Sequence, residues 1–157
     1  MSMGGGGGAM QELQQQMQAL EEEKEEIEAE IEELRGEQSD IDEAVEAIET
    51  LDSGATVQVP LGGGAYIRAT VEDMDEIIVS LGGGYAAEHE EEDAVDTLER
   101  KQDAIDDEID ELTEEVGEVE AEREQLEQQA QQMQQQQMQQ MQQQMGGMGG
   151  DEGDEEE

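Results

Sequence analysis

The chain has 157 residues and a formal net charge of −41, because 47 acidic side chains face only 6 Lys and Arg. Hydrophobic residues make up 33% and aromatic residues 1%, which excludes a compact core of ordinary size. Cys is absent, so a disulfide framework and thiol chemistry are excluded. The sign of the charge also disfavours binding to nucleic acid.

Residues 1–9 are rich in Gly, and we expect them to be flexible. From 10 to 51, apolar residues recur every seven positions, with a second series three residues before the first, as in a coiled coil. This pattern predicts one long helix that ends before the turn residues Asp52, Ser53 and Gly54. Its predicted seam consists of Leu13, Leu20, Ile27, Ile31, Leu34, Ile41, Val45 and Ile48.

Residues 52–88 change to an alternation of apolar and polar residues, which is typical of strands. Two runs of three glycines, 62–64 and 82–84, favour hairpin turns over a phosphate loop, because no Lys-Ser or Lys-Thr follows them. The segment therefore predicts two β-hairpins. Since an isolated hairpin is barely stable in water, we expect this segment to be an assembly hub. Its apolar residues would contact other subunits: Val57, Val59, Leu61, Ile67, Val71, Ile77, Ile78, Val79 and Leu81.

Residues 89–145 resume the heptads and predict a second helix, longer than the first. Its seam is predicted to be Val95, Leu98, Ile105, Ile109, Leu112, Val116, Val119 and Leu126. Because a compact β segment joins the helices, we expect them to pack antiparallel, with Ile48 beside Val95 and Ile27 beside Val116. A register shifted by one heptad fits the sequence equally well. We expect residues 146–157 to form a disordered acidic tail.

The end of the second helix is rich in Gln and Met and extends past the first helix. Met is flexible and polarisable, which suits a surface that must accept many apolar partners. We therefore interpret Met133, Met138, Met141 and Met145 as contacts for apolar client chains. Two alternatives stay open: Met as a neutral filler in a Gln-rich helix end, or a stripe that pairs with a partner subunit.

The acidic residues are spread over every predicted element. At molar salt the Debye length is about 3 Å, which largely screens their mutual repulsion. We interpret the excess as adaptation to a salty cytoplasm rather than as a mimic of nucleic acid or a sink for basic partners. No apolar run is long enough to cross a membrane, and the first residues do not match a signal peptide. These features predict a cytoplasmic protein without membrane contact.

The inventory of reactive side chains is small. His89 is the single His, and no Ser lies in a nucleophile-elbow context, so zinc sites and catalytic triads are excluded. The acidic runs do not match a calcium loop, and carboxylate pairs on exposed helix faces lack a buried cleft. We therefore predict no catalytic, cofactor-binding or metal-binding residues, and a protein that is not an enzyme.

The order of long helix, two hairpins and long helix, with VPLGGGAYIRATVEDMDEIIVSLGGGYAAE at its centre, resembles the alpha-class subunits of the archaeal prefoldin family. The resemblance spans residues 10–145, and two hairpins rather than one favour the alpha class over the beta class. It implies an α+β fold, in which an antiparallel two-helix coiled coil carries two central β-hairpins that join an oligomeric β-barrel.

The same resemblance implies a function. Family members form hexamers of two alpha and four beta subunits, hold unfolded polypeptides at the coiled-coil tips without ATP, and transfer them to a group II chaperonin. It therefore predicts a molecular chaperone whose partners are prefoldin beta subunits, unfolded clients and the chaperonin, with no cofactor. The alternative is a structural coiled-coil spacer or tether, which would not suppress the aggregation of a denatured protein.

Overall fold

The structure, a computed structural model, describes residues 5–148. Parts of two predicted segments, residues 1–4 and 149–157, lie outside these described residues. Two long helices and two small antiparallel hairpins make up an α+β fold, as the sequence predicts. The elements in chain order are α1 (Gly5–Thr50), β1 (Thr56–Gly62), β2 (Ala65–Thr70), β3 (Ile77–Gly82), β4 (Tyr85–His89) and α2 (Glu91–Met148).

Each helix extends beyond its expected limit at one end, while α1 ends one residue before position 51 and α2 begins two residues after position 89. α1 begins at Gly5 rather than at residue 10, and α2 continues to Met148 rather than to Met145. Each residue added to an existing helix gains one hydrogen bond, which opposes the cost of about 1 kcal/mol that Gly carries relative to Ala. At its other end α1 stops at Thr50, whose Oγ1 donates a hydrogen bond to the carbonyl of Glu46 at 2.7 Å.

The chain divides into two compact units. One comprises Glu30–Leu112, and the other comprises the described residues up to Ala29 together with those from Thr113 onward. No helix within residues 5–148 is long and apolar enough to cross a membrane.

The Glu30–Leu112 unit has a core made by both helices and one strand. Its buried cluster consists of Ile41, Val79, Ala94, Leu98 and Ile105. Partly buried apolar side chains surround the cluster: Leu34, Ala44, Val45, Ile48, Ile77 and Ile109. Most of these residues belong to the predicted seams, because a heptad repeat keeps one stripe of each helix against its neighbour.

A polar layer interrupts the apolar seam of this unit. Gln38 and Gln102 both occupy heptad positions, and the Nε2 of Gln102 donates a hydrogen bond to the backbone carbonyl of Gln38 at 3.2 Å. The same Nε2 also donates to the carboxylate of Asp42, while Gln38 Nε2 donates to Asp106. Each amide thus finds an acceptor on the opposite helix, which satisfies polar groups at the helix contact.

The hairpins have matching geometry. In hairpin 1 (β1 and β2) Val59 pairs with Ile67, and in hairpin 2 (β3 and β4) Val79 pairs with Ala87. The two central turn residues have positive φ in both, 60° and 82° at Gly63 and Gly64 and 61° and 81° at positions 83 and 84. A type I′ turn requires positive φ at both positions, which explains the glycines. Among the described residues the hairpins form two separate sheets of two strands each.

Backbone contacts join hairpin 1 to the loops at its base. The backbone N–H of Gly54 donates to the carbonyl of Val71 at 2.7 Å, and Val71 N–H donates to Ala55 at 2.8 Å. In the connection between the hairpins, Met74 is buried and its backbone N–H donates to the Ser53 Oγ at 3.0 Å. These contacts close the base of hairpin 1 against the end of α1.

The other unit contains the remaining halves of the two helices. Leu13, Ile27 and Val119 are buried here, and the predicted seam residues Leu20, Val116 and Leu126 are half-buried. Lys24 contacts Glu120 and Glu21 contacts Arg123. The register with Ile27 beside Val116 places position 119 opposite Lys24 and position 122 opposite Glu21. The observed partners, Glu120 and Arg123, are the next residues along α2. A register shifted by one heptad would place these partners seven residues away.

Candidate functional site

Three surfaces of the described residues could carry a function: the exposed faces of the hairpins, an ionic layer between the helices, and the Met-rich end of α2. The predicted residues of these surfaces differ in how far they are exposed to solvent. The predicted seam residues of both helices are all buried or half-buried.

Hairpin 1 presents apolar side chains to solvent. Val59 and Ile67 face the same side as cross-strand partners, and both are exposed. Leu61 and Tyr66 are exposed as well, while Val57 is half-buried. Cross-strand apolar pairs stabilise a sheet more when they are also removed from water. The face of hairpin 1 that carries Val59 and Ile67 is therefore uncovered among the described residues of Glu30–Leu112.

Hairpin 2 has one covered face and one open face. Val79 is only 5% exposed and packs in the helical cluster, and Ile77 packs against the same cluster. Ile78, the residue between them, points to the other side and is 74% exposed, and Leu81 and Tyr85 are also exposed. Strand side chains alternate between faces, so a single strand divides its apolar residues between core and surface.

Val79 therefore differs from the predicted role of a contact to other subunits, because its side chain is buried within its own subunit. Val71 is half-buried in the connection after β2. Lys101 on α2 adds a further link to hairpin 2, since its Nζ donates a hydrogen bond to the carbonyl of Ser80 at 3.2 Å. Sequence alternation alone could not show which face the helices cover.

The ionic layer lies in the unit that contains residues 5–29. Lys24 and Arg123 both occupy heptad positions, and each contacts a carboxylate of the facing helix. Lys24 Nζ lies 2.9 Å from Glu120 Oε1 and 3.8 Å from Glu28 Oε1. Arg123 Nη1 lies 2.7 Å from Glu21 Oε2. The layer pairs two basic side chains with carboxylates in a chain that has few other cations.

These contacts change the acidity of both partners in the Lys24 pair. The hydrogen bond to Glu120, and then its negative charge, raise the pKa of Lys24 above its ordinary value of 10.5. The hydrogen bond from Lys24, and then its positive charge, lower the pKa of Glu120 below its ordinary value of 4.5. Both shifts favour the charged forms of the two groups.

The Met-rich end of α2 divides into two parts. Met133 is half-buried and lines a groove with Ala9, Leu13 and Gln129. Met138, Met141 and Met145, which we name the methionine stripe, are 69%, 67% and 79% exposed. Met133 thus lies at the helix contact, whereas the other three predicted client-binding residues are open to solvent.

Helix geometry explains this division. At about 100° per residue, the three residues of the methionine stripe fall within about 60° of one another. Each follows a heptad position by one residue, which turns the stripe about 100° away from the seam. The side chains therefore do not face α1, and they form a continuous apolar strip along the helix.

Residues 5–148 contain no group of three or more His, Asp and Glu side chains placed to hold a metal ion. His89 lies at the end of β4, half-buried, and its Nε2 has no hydrogen-bond partner among the described residues. Sequence reasoning missed two buried side chains, Met74 and Ala94. Met74 stands in the acidic turn between the hairpins, where alternation gives no signal.

Comparison with known proteins agrees with this architecture. The family model "Prefoldin subunit" matches residues 13–144. A prefoldin subunit alpha from Halorubrum lacusprofundi is 66% identical over 107 residues, which cover 68% of this chain and 70% of the relative. Another from Halobacterium salinarum is 55% identical over 110 residues, covering 69% of this chain and 71% of the relative.

A solved structure is also similar. The cryo-EM structure of filamentous PFD from Methanocaldococcus jannaschii superposes with a TM-score of 0.50 and 30% sequence identity, covering 75% of this chain and 94% of that chain. Its match extends the likeness from sequence to the arrangement of helices and hairpins. The chain therefore belongs to the prefoldin family, as an archaeal alpha subunit of the halophile type.

Proposed function

We propose that this chain is the alpha subunit of an ATP-independent chaperone that captures unfolded polypeptides at the end of its helices and transfers them to a group II chaperonin. Membership of the prefoldin family supports the chaperone role. The observation that carries the capture step is the exposed methionine stripe at the end of α2.

The stripe has the chemistry that an unfolded client requires. Unfolded chains expose apolar side chains of many shapes, and flexible, polarisable Met adapts to them better than a rigid side chain does. Burial of one Met contributes roughly 1.5 to 3 kcal/mol at most. Three such contacts hold a chain weakly and at several points, so the client can also be released.

Assembly with prefoldin beta subunits, two alpha with four beta, would occur through the hairpins. The exposed face of hairpin 1 and the open face of hairpin 2 support this proposal, because both present apolar side chains that the described residues leave uncovered. Both strands of each hairpin are also sheet edges, which can pair with further strands. The assembly would operate in a cytoplasm with a high salt concentration, as the charge of −41 indicates.

An aggregation assay tests the capture step. A variant with Met138, Met141 and Met145 replaced by Ser is mixed at molar salt with a chemically denatured model protein, and light scattering is followed. We expect the variant to bind the client at least about tenfold more weakly than the parent, since 1.4 kcal/mol corresponds to a factor of ten. Its circular dichroism and oligomer mass should match those of the parent.

The matched control replaces Gln136, Gln139 and Gln143 by Ser. These residues are exposed on the same part of α2 but away from the stripe, so this variant should suppress scattering as the parent does. If the Met variant also protects the client fully, capture occurs elsewhere. If the parent itself fails to protect it, the spacer function becomes the better explanation.

A further inference from the structure

We propose that the methionine stripe is a reversible oxidation site. Conversion of Met138, Met141 and Met145 to methionine sulfoxide by a peroxide would remove the apolar surface at the end of α2 and thereby stop client capture. Selective oxidation of the stripe is argued from exposure and sequence alone. The loss of client capture after oxidation rests on the proposed function.

Exposure separates the side chains of these three residues from those of Met10, Met17, Met74 and Met133. The stripe residues are 67% to 79% exposed, but Met74 is only 8% exposed. Met10, Met17 and Met133 are half-buried at the helix contact. A peroxide must approach the thioether sulfur directly, so the stripe reacts before these four Met residues. The chain has no Cys that could consume the oxidant before Met does.

The surrounding sequence makes the stripe the sole apolar feature of its segment. From 134 to 145 every residue other than these three Met is Gln. The segment also carries no charged residue, in a chain whose net charge is −41. All apolar contact that this part of α2 can make therefore depends on three oxidisable side chains.

The reaction is a transfer of one oxygen atom. A lone pair of the Met sulfur attacks one peroxide oxygen, an S–O bond forms, and the O–O bond breaks. For hydrogen peroxide the other oxygen leaves as water after proton transfer. The sulfur is oxidised by two electrons and the peroxide is reduced by two. A methionine sulfoxide reductase reverses the step, with two thiols oxidised to a disulfide and the oxygen released as water.

Oxidation would change the surface without disturbing the fold. The sulfoxide is polar and chiral, so it no longer gains from burial against an apolar client. The stripe lies about 100° away from the seam and its side chains are exposed. Its oxidation therefore leaves the side chains that pack between the helices unchanged. Oxidation of the buried Met74 would instead disturb packing, which makes that residue an internal reference.

The first experiment measures the order of oxidation. The full chain, in its assembled form at molar potassium chloride, is treated with hydrogen peroxide for increasing times and quenched. Cleavage after Glu127 then yields a peptide that contains the whole stripe for mass spectrometry. We expect the stripe residues to oxidise several-fold faster than Met74, and all of them to react at similar rates in the denatured chain. Equal rates in the folded protein would overturn the proposal.

The second experiment measures client capture after stripe-selective oxidation, with helicity as a check on the fold. We expect oxidised parent to lose capture to the extent that the Met-to-Ser variant does, and a reductase with a thiol donor to restore it. A variant with M138L, M141L and M145L should capture clients before and after peroxide.

The outcomes separate this inference from the proposed function. If the Met-to-Ser variant captures clients as well as the parent does, the proposed capture site is wrong. If that variant loses capture but the oxidised parent retains it, the capture site stands and the oxidation switch is wrong. If the Leu variant is inactivated by peroxide as the parent is, oxidation acts elsewhere and the switch is again wrong.

Discussion

At the scale of single residues, charge and position explain why Lys24 and Arg123 are tolerated in a helix contact. Lys24 keeps 20% of its side chain exposed, so its ammonium group stays partly hydrated while it contacts Glu120. Arg123 contacts Glu21 from the opposite helix. A polar pair at a heptad position helps to specify register. In the register shifted by one heptad toward residue 113, Thr113 and Gln14 would replace the carboxylates beside Lys24 and Arg123. The layer therefore favours the register with Ile27 beside Val116 over this shifted register.

The pKa directions give this layer a defined dependence on pH. Because Glu120 has a lowered pKa, its contribution to stability is present above about 4.5, its ordinary value, and is lost as the pH falls through the lower pKa of the folded state. Because the pKa of Lys24 is raised, its contribution is present below 10.5 and is lost as the pH rises through the higher folded value.

We therefore expect Glu120→Gln to lower the melting temperature at pH 7 and to lose this effect in acid. The melting temperatures of the variant and the parent are measured at several pH values at molar salt. Their difference at each pH removes the effect of the many other carboxylates, which titrate in both proteins. Glu122→Gln, at an exposed position on the same helix, is the control and should have little effect. An effect of Glu120→Gln that persists unchanged at low pH would contradict the ionic explanation.

At the scale of elements, the two hairpins have the same turn geometry but different roles in packing. Hairpin 2 is attached to the helices by Val79 and by the hydrogen bond from Lys101 to Ser80. The central pair of hairpin 1, Val59 and Ile67, is exposed instead. An exposed apolar hairpin gains stability only from a partner. We therefore expect the order of hairpin 1 to depend on a partner more than that of hairpin 2.

Substitutions in the hairpins should separate folding from assembly. We expect Val59→Asp with Ile78→Asp to preserve helicity and the melting temperature of the subunit but to abolish the proposed oligomer with beta subunits. Val79→Ala should instead destabilise the subunit by about 2 kcal/mol, because it leaves a cavity in the core. Native mass measurement and chemical unfolding distinguish the two effects. A full-sized oligomer of the double variant would exclude these faces as the interface.

At the scale of the whole molecule, the net charge of −41 opposes folding. Unscreened like charges repel across and along the helices, and the apolar seam that opposes this repulsion is thin. Only a few cross-helix ion pairs and amide contacts occur among the described residues. Screening by salt therefore contributes to the stability of the fold.

We expect the helical signal in circular dichroism to fall when potassium chloride is reduced from molar to millimolar concentration. The Debye length grows from about 3 Å at 1 M to about 30 Å at 0.01 M, so the repulsion then extends across the helix contact. A variant with Glu22, Glu25 and Glu32 replaced by Gln, all exposed in the parent, should keep its helicity to lower salt. Constant helicity of the parent over the whole range would contradict this explanation.

The sequence by itself determined the order of the elements and the buried stripe of each helix. Heptad spacing identified both helices and their seams, and glycine triplets identified turns that require positive φ. These features depend on local periodicity and backbone sterics, which a few neighbouring residues specify. The Met-rich end was also visible from sequence, as were the family and its alpha class.

Only the tertiary structure decided between arrangements that fit the sequence equally well, such as two helix registers or two strand faces. The heptads allow registers that differ by seven residues, and the contacts of Lys24 with Glu120 and Arg123 with Glu21 distinguish between them. Strand alternation shows two faces but not which one the helices cover, so the burial of Val79 required the structure. It also separated Met133, at the helix contact, from the exposed methionine stripe. In each case the periodic sequence pattern fits more than one arrangement equally well, and packing between segments that are distant in the sequence selects one arrangement.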